Sequence, residues 1–88
     1  MQLAWKAGHD GDPARWTELF GPYRAVIRPD ARHGGWAWAV YHFRNVDDPV
    51  VTGLAYDERD ARHAVAEWAR PRAPRFLRRR LRSSGHLR

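Results

Sequence analysis

The residues with the clearest binding chemistry are arginines close to the end of the chain, in the segment PRFLRRRLR at residues 74–82. A guanidinium group binds phosphate through two parallel N–H donors. Several such groups close together also neutralise a nucleic-acid backbone and release its counterions, which drives binding without sequence choice. The arginines expected to contact phosphate here are Arg72, Arg75, Arg78, Arg79, Arg80 and Arg82.

Three apolar side chains, Phe76, Leu77 and Leu81, lie among these arginines and allow other partners. They would insert into an anionic membrane below a cationic surface, or dock as a short helix in the groove of a protein. The segment would instead be a solvated tail if its arginines only reflect the codon usage of a GC-rich genome. Nucleic acid is the favoured partner, with a protein and an anionic membrane as alternatives.

The charge of the chain divides it into two parts. Residues 70–88 contain eight arginines and no acidic residue. Residues 1–69 contain the other eight basic residues and all ten acidic residues, so their net charge is 8 − 10 = −2, and the formal +6 of the whole chain comes from the tail. We expect one domain at residues 1–71 and an Arg-rich tail at 72–88 that is disordered or forms a short helix.

The sequence offers little support for catalysis or metal binding. The five histidines are scattered, no two of them have the i, i+4 spacing of a helical metal site, and there is no cysteine. Ser83 and Ser84 lie in the tail, where no scaffold would hold a nucleophile. Asp47 and Asp48 lie in a predicted turn, where carboxylates are usually solvated. We therefore expect a protein that is not an enzyme and that binds no metal or cofactor.

The sequence predicts an α+β domain whose secondary-structure elements follow the order α-β-β-β-α and position the candidate binding residues. Alternating, β-branched and aromatic residues predict strands at 23–29, 36–43 and 50–56. An apolar stripe behind the capping residue Asp57 predicts a helix at 57–71. Asp12, Pro13 and Gly21 predict a short helix at 12–21. Short turns between the strands favour a three-stranded antiparallel meander that the C-terminal helix covers on one face.

The two faces of the sheet are assigned by the cost of burying charge. Burying Arg24 and Arg28 without partners is unfavourable, so Tyr23, Ala25 and Ile27 are expected to lie under the helix. The small residues expected on that covered face with them are Ala37, Ala39, Gly53 and Ala55.

The position of Trp36 and Trp38 stays open at this point. They are either an exposed platform beside Arg24 and Arg28, on which bases would stack, or part of the core. The core is favoured, because most tryptophans in a domain of this size help to build it. An exposed Trp face would also favour a homodimer formed by sheet packing.

The middle of the chain has a GWAWAV strand at residues 35–40, followed by the strand-and-helix segment GLAYDERDARHAVAEW at residues 53–68. This pattern resembles small proteins of actinobacteria and their phages, most of unknown function. It is also similar to the arm-type DNA-binding domain of phage integrases, with Trp36, Ala61 and Trp68 as counterparts. That likeness implies a sheet that enters the DNA major groove. The element order resembles the double-stranded-RNA-binding fold as well, although acidic residues here replace the lysines that begin its last helix.

These observations together predict a small, non-catalytic accessory protein that binds nucleic acid. Its tail would supply most of the phosphate contacts, and Arg24 and Arg28 would extend the binding surface. The alternative is a protein-interaction module, a phage or host regulator that docks through its sheet edge or Trp face and through a tail helix. The N-terminal segment lacks the apolar run of a signal peptide, and no segment has the length of a membrane span, so a cytoplasmic location is expected.

Overall fold

A computed structural model describes residues 3–73 of the chain. They form an α+β fold with a five-stranded antiparallel sheet and one C-terminal α-helix. The strands follow one another in the order β1-β2-β3-β4-β5, so the sheet is a simple meander. The elements are β1 Lys6–Ala7, β2 Arg15–Glu18, β3 Tyr23–Pro29, β4 Trp36–His42, β5 Val51–Ala55 and α1 Glu58–Ala69, with a 3₁₀ turn at Arg70–Arg72. The segment 74–82 lies outside the described residues.

The three predicted strands and the C-terminal helix are confirmed. Helix α1 begins after Asp57, whose carboxylate accepts a hydrogen bond from the Asp60 backbone N–H at 2.9 Å. This contact satisfies one of the amides that a helix leaves free in its first turn. Ala61 and Val65 lie one turn apart and are fully buried, so they attach the helix to the sheet. In the described residues no helix is long and apolar enough to cross a membrane.

The predicted helix at residues 12–21 is wrong, because Arg15–Glu18 forms strand β2 and pairs with β3. The residues that suggested a helix serve turns instead. The carboxylate of Asp12 accepts a hydrogen bond from the Ala14 backbone N–H, two residues on, as in an Asx turn. Gly21 has φ +57 within the β2–β3 turn rather than after a helix. Pairing with a long neighbouring strand outweighs the weak helix preference of so short a segment.

The N-terminal segment adds β1 and β2 to the three predicted strands. Thr17, which is buried, faces the helix side of the sheet, and its hydroxyl donates to the carbonyl oxygen of Ala4 at 3.0 Å. Leu3 and Trp5 pack against the core from the same side. The guanidinium carbon of Arg62 on α1 lies 5.7 Å from the centre of the Trp5 ring. These contacts hold the first strands against the helix.

The assignment of the sheet faces needs one correction. Tyr23, Ala25 and Ile27 do lie on the covered face, but their partners on β4 are His42, Val40 and Trp38. Ala37 and Ala39 therefore point to the opposite, open face. A Cβ on Gly53 would lie 2.7 Å from Nε1 of Trp38, so the glycine makes room for the indole beside it. The pairing register, which the sequence alone does not show, decides this arrangement.

The antiparallel order separates acidic residues from the start of the tail. The β1–β2 turn, the β3–β4 turn and the first turn of α1 all lie at one end of the sheet. Six of the ten acidic residues lie there: Asp10, Asp12, Asp30, Asp57, Glu58 and Asp60. Helix α1 runs back along the sheet, so the chain reaches Ala73 at the opposite end. The other four acidic residues, Glu18, Asp47, Asp48 and Glu67, lie nearer the end where the tail begins.

Candidate functional site

One face of the sheet is left uncovered by the described residues. Helix α1 packs on the other face, against Ala25, Ile27 and Val40. We call the uncovered surface the open face. By the strand register, its side chains are Lys6, Trp16, Glu18, Arg24, Val26, Arg28, Ala37, Ala39, Tyr41, Thr52 and Leu54. Three cations against one carboxylate make this surface basic, although residues 1–69 as a whole are slightly acidic.

Trp16 organises two of these cations. The ammonium of Lys6 lies 4.8 Å from the centre of the Trp16 ring, and the guanidinium carbon of Arg24 lies 4.5 Å from it. Arg24 also donates a hydrogen bond to the Glu18 carboxylate at 2.8 Å, although both side chains remain more than half exposed. Cation–π contacts of this kind limit the freedom of long side chains. Lys6 and Arg24 are thus both held against Trp16 on the open face.

Arg28 completes the basic row on β3. Among residues 3–73 it has no carboxylate or aromatic partner, and it is exposed. Arg24 and Arg28 are four residues apart on one strand, which places their Cα atoms about 13 Å apart. Val26 lies between them on the same face. The two guanidinium groups can therefore contact different phosphates along one nucleic-acid strand.

Two hollows flank this row, and both are bordered by Arg24, Val26 and Arg28. The first hollow, of about 420 Å³, lies over β1 and β2 and includes Trp16, His9 and Asp12. The second hollow, of about 370 Å³, lies toward β4 and the β4–β5 turn. It is lined in addition by Glu18, Pro22, Tyr41, His42, Phe43 and Val46.

A cluster of aromatic rings lies close to residue 73, where the described part of the chain ends. Trp68 stacks on Phe20 and meets Tyr23 edge-on, with ring centres 6.5 and 5.6 Å apart. Arg72 lies over the Trp68 ring at 4.6 Å and donates a hydrogen bond to the Trp68 carbonyl oxygen at 2.8 Å. The start of the tail is therefore fixed near the β2–β3 turn, one residue away from Arg24.

The predicted site residues have three different positions. Arg24 and Arg28 share the open face, and Arg72 lies exposed at the end of the sheet from which the tail leaves. Trp36 and Trp38 are half-buried on the covered face, packed against the core, so they do not lie beside Arg24 and Arg28. The remaining predicted residues, Arg75, Phe76, Leu77, Arg78, Arg79, Arg80, Leu81 and Arg82, lie outside the described residues.

Three open-face residues were missed by the sequence reasoning: Lys6, Trp16 and Tyr41. Lys6 and Trp16 belong to strands that were not recognised. Trp16 and Glu18 alternate with Thr17, and this alternation would have placed Trp16 on one face of the sheet if the segment had been read as a strand. Tyr41 shares a face of β4 with Ala37 and Ala39, which were expected under the helix, so the same register correction places it on the open face.

Hydrogen bonds in the β3–β4 turn lower the pKa of one carboxyl group, that of Asp30. The ring nitrogen of His33 lies 2.9 Å from the Asp30 carboxylate and, with the Arg32 and His33 backbone N–H groups, holds the pKa of Asp30 below its usual range. This contact orders the β3–β4 turn while Asp30 is ionised, and it weakens as the pH falls through the lowered pKa. No group of three metal-ligating side chains occurs within residues 3–73.

No protein-family model, curated protein or solved structure matches this chain.

Proposed function

We propose that this protein is a small, non-catalytic nucleic-acid-binding protein. The arginines at 72–82 bind phosphate and supply most of the affinity. The open face, with Lys6, Arg24 and Arg28, is a second contact surface. The tail leaves the domain at the end of the sheet where Arg24 lies, so one bound strand can contact both surfaces.

The observation that carries this proposal is the uncovered sheet face. A sheet face left open to water normally carries dispersed polar groups, whereas this one has Lys6 and Arg24 against the Trp16 ring, with Arg28 and Tyr41 on the same face. Basic side chains beside aromatic rings are typical of nucleic-acid-binding surfaces, because the cations bind the phosphates while the bases stack on the rings. Two acidic residues border this surface: Asp12 lines the first hollow, and Glu18, which is paired with Arg24, lines the second.

A protein-interaction module remains the second candidate, and β5 favours it. This strand is one of the two edges of the sheet, and residues 49–56 contain no charged side chain. Val50 and Leu54 are 51% and 58% exposed. An uncharged edge strand can accept a strand from a partner through backbone hydrogen bonds.

Binding of the full chain to labelled oligonucleotides at increasing salt tests the proposal. We expect the logarithm of the association constant to fall linearly with the logarithm of the salt concentration. About six phosphate contacts would give a slope near −4 on single strands, at about 0.7 per contact. Fluorescence anisotropy with DNA and RNA of mixed sequence measures this slope. An absence of binding at low salt would refute the proposal, and a slope near zero would favour a partner recognised by apolar contacts.

A further inference from the structure

The second hollow contains an aromatic ring with no partner. Tyr41 is half-buried and lines this hollow. Within residues 3–73 its ring stacks on no other ring and lies under no cation. The other aromatic ring of the open face, Trp16, is already contacted by Lys6 and Arg24. A ring that lines a hollow and contacts no other ring or cation of residues 3–73 can offer a stacking surface to a ligand.

The walls of the hollow supply both apolar and charged groups. Phe43 and Val46 rise from the β4–β5 turn and are 65% and 67% exposed. Arg24 and Arg28 border the opposite side. The carboxylate of Glu18 is engaged by Arg24, so it does not repel an anion in full. The volume of about 370 Å³ lies in the range of about 300–1,000 Å³ that is typical of small-molecule sites.

We propose that the second hollow accepts one unpaired nucleobase, which stacks on Tyr41 while Arg24 and Arg28 bind phosphates of the same strand. This inference rests on the proposed nucleic-acid binding and names the form bound there, a single strand. A base within a duplex is paired and stacked on both faces, so it cannot enter the hollow. A single strand presents its bases freely, and each base has a face that can stack. The open face therefore selects single-stranded over double-stranded nucleic acid, whereas the tail binds both.

The test compares a labelled single strand with a duplex of the same sequence, at one salt concentration, using the full chain. We expect tighter binding of the single strand. Tyr41→Ala should weaken single-strand binding by about 5-fold or more, the effect of losing one base–aromatic stack. It should leave duplex binding and the slope of the salt dependence unchanged, because no charge is removed.

Three matched variants separate the ring from its surroundings. Tyr41→Phe keeps the ring and should bind as the wild type. Tyr41→Leu keeps apolar bulk without an aromatic face and should lose affinity as Tyr41→Ala does, which guards against a folding defect in the smaller variant. Tyr56→Ala removes an exposed tyrosine that follows β5 and lies outside both the hollow and the strands of the open face, so it should have no effect. Circular dichroism checks that all the variants are folded.

The possible results distinguish this inference from the proposed function. Equal binding of single strand and duplex, unchanged by Tyr41→Ala and Tyr41→Leu, would overturn the inference and leave nucleic-acid binding by the tail intact. No binding of either oligonucleotide would overturn both. A loss of affinity in Tyr41→Phe as large as in Tyr41→Ala would also contradict stacking, since it would assign the effect to the hydroxyl.

Discussion

Replacing Arg75, Arg78, Arg79, Arg80 and Arg82 together by glutamine is expected to weaken nucleic-acid binding by about 10³-fold at 0.1 M salt. Each phosphate contact on a single strand contributes about 0.7 to the salt slope, so five contacts contribute about 3.5 logarithmic units between 0.1 and 1 M. The slope should become shallower by the same amount. The remaining affinity then measures what the open face supplies by itself. Anisotropy titrations at several salt concentrations give both quantities.

The matched control replaces the same five arginines by lysine. This variant keeps the charge and the counterion release but loses the bidentate geometry of the guanidinium group. It should retain most of the slope and most of the affinity. If the glutamine variant binds as tightly as the wild type, the tail is not the phosphate contact, and the arginines of 74–82 have another role.

Ile27→Ala is expected to reduce the free energy of unfolding by about 2–5 kcal/mol, because it removes a large buried side chain and leaves a cavity. Ile27 is fully buried and pairs across β3 and β4 with Trp38. Its neighbour Val26 points to the open face, and Val26→Ala should cost about 1 kcal/mol. Urea denaturation followed by tryptophan fluorescence compares the two variants.

This pair of substitutions tests which face of the sheet α1 covers. The residues are adjacent in sequence and similar in chemistry, so only their orientation should separate them. A larger loss of stability in Val26→Ala than in Ile27→Ala would mean that α1 packs on the face that carries Arg24 and Arg28. The open face would then not exist, and the site described here would be wrong.

Much of the fold is readable from the sequence where local patterns are strong. Residues 23–28 alternate between more buried and more exposed side chains, and α1 has a capping aspartate, acidic residues in its first turn and an apolar stripe. These patterns agree with the tertiary structure, so local reasoning finds them. The helix prediction for residues 12–21 is wrong because Asp12, Pro13 and Gly21 suit both a helix and a pair of turns. Only the neighbouring strand β3 decides between the two.

The site was less predictable than the fold, because it depends on strand register. The sequence left Trp36 and Trp38 open, with the core favoured over a stacking platform, and it placed Ala37 and Ala39 under the helix. A shift of one residue exchanges the two sets, and the space beside Gly53 places Trp38 on the covered side. Arg24 and Arg28 were placed correctly, because the cost of burying two unpaired guanidinium groups is independent of register.

The most direct test of the account is an NMR titration of the ¹⁵N-labelled full chain with a single-stranded oligonucleotide. We predict that the indole N–H resonance of Trp16 and the backbone amides of Arg24, Arg28 and Tyr41 shift in proportion to binding. The indole resonances of Trp36 and Trp38, on the covered face, should stay in place. Shifts confined to the exposed side of α1, or no shifts at all, would contradict a nucleic-acid contact on the open face.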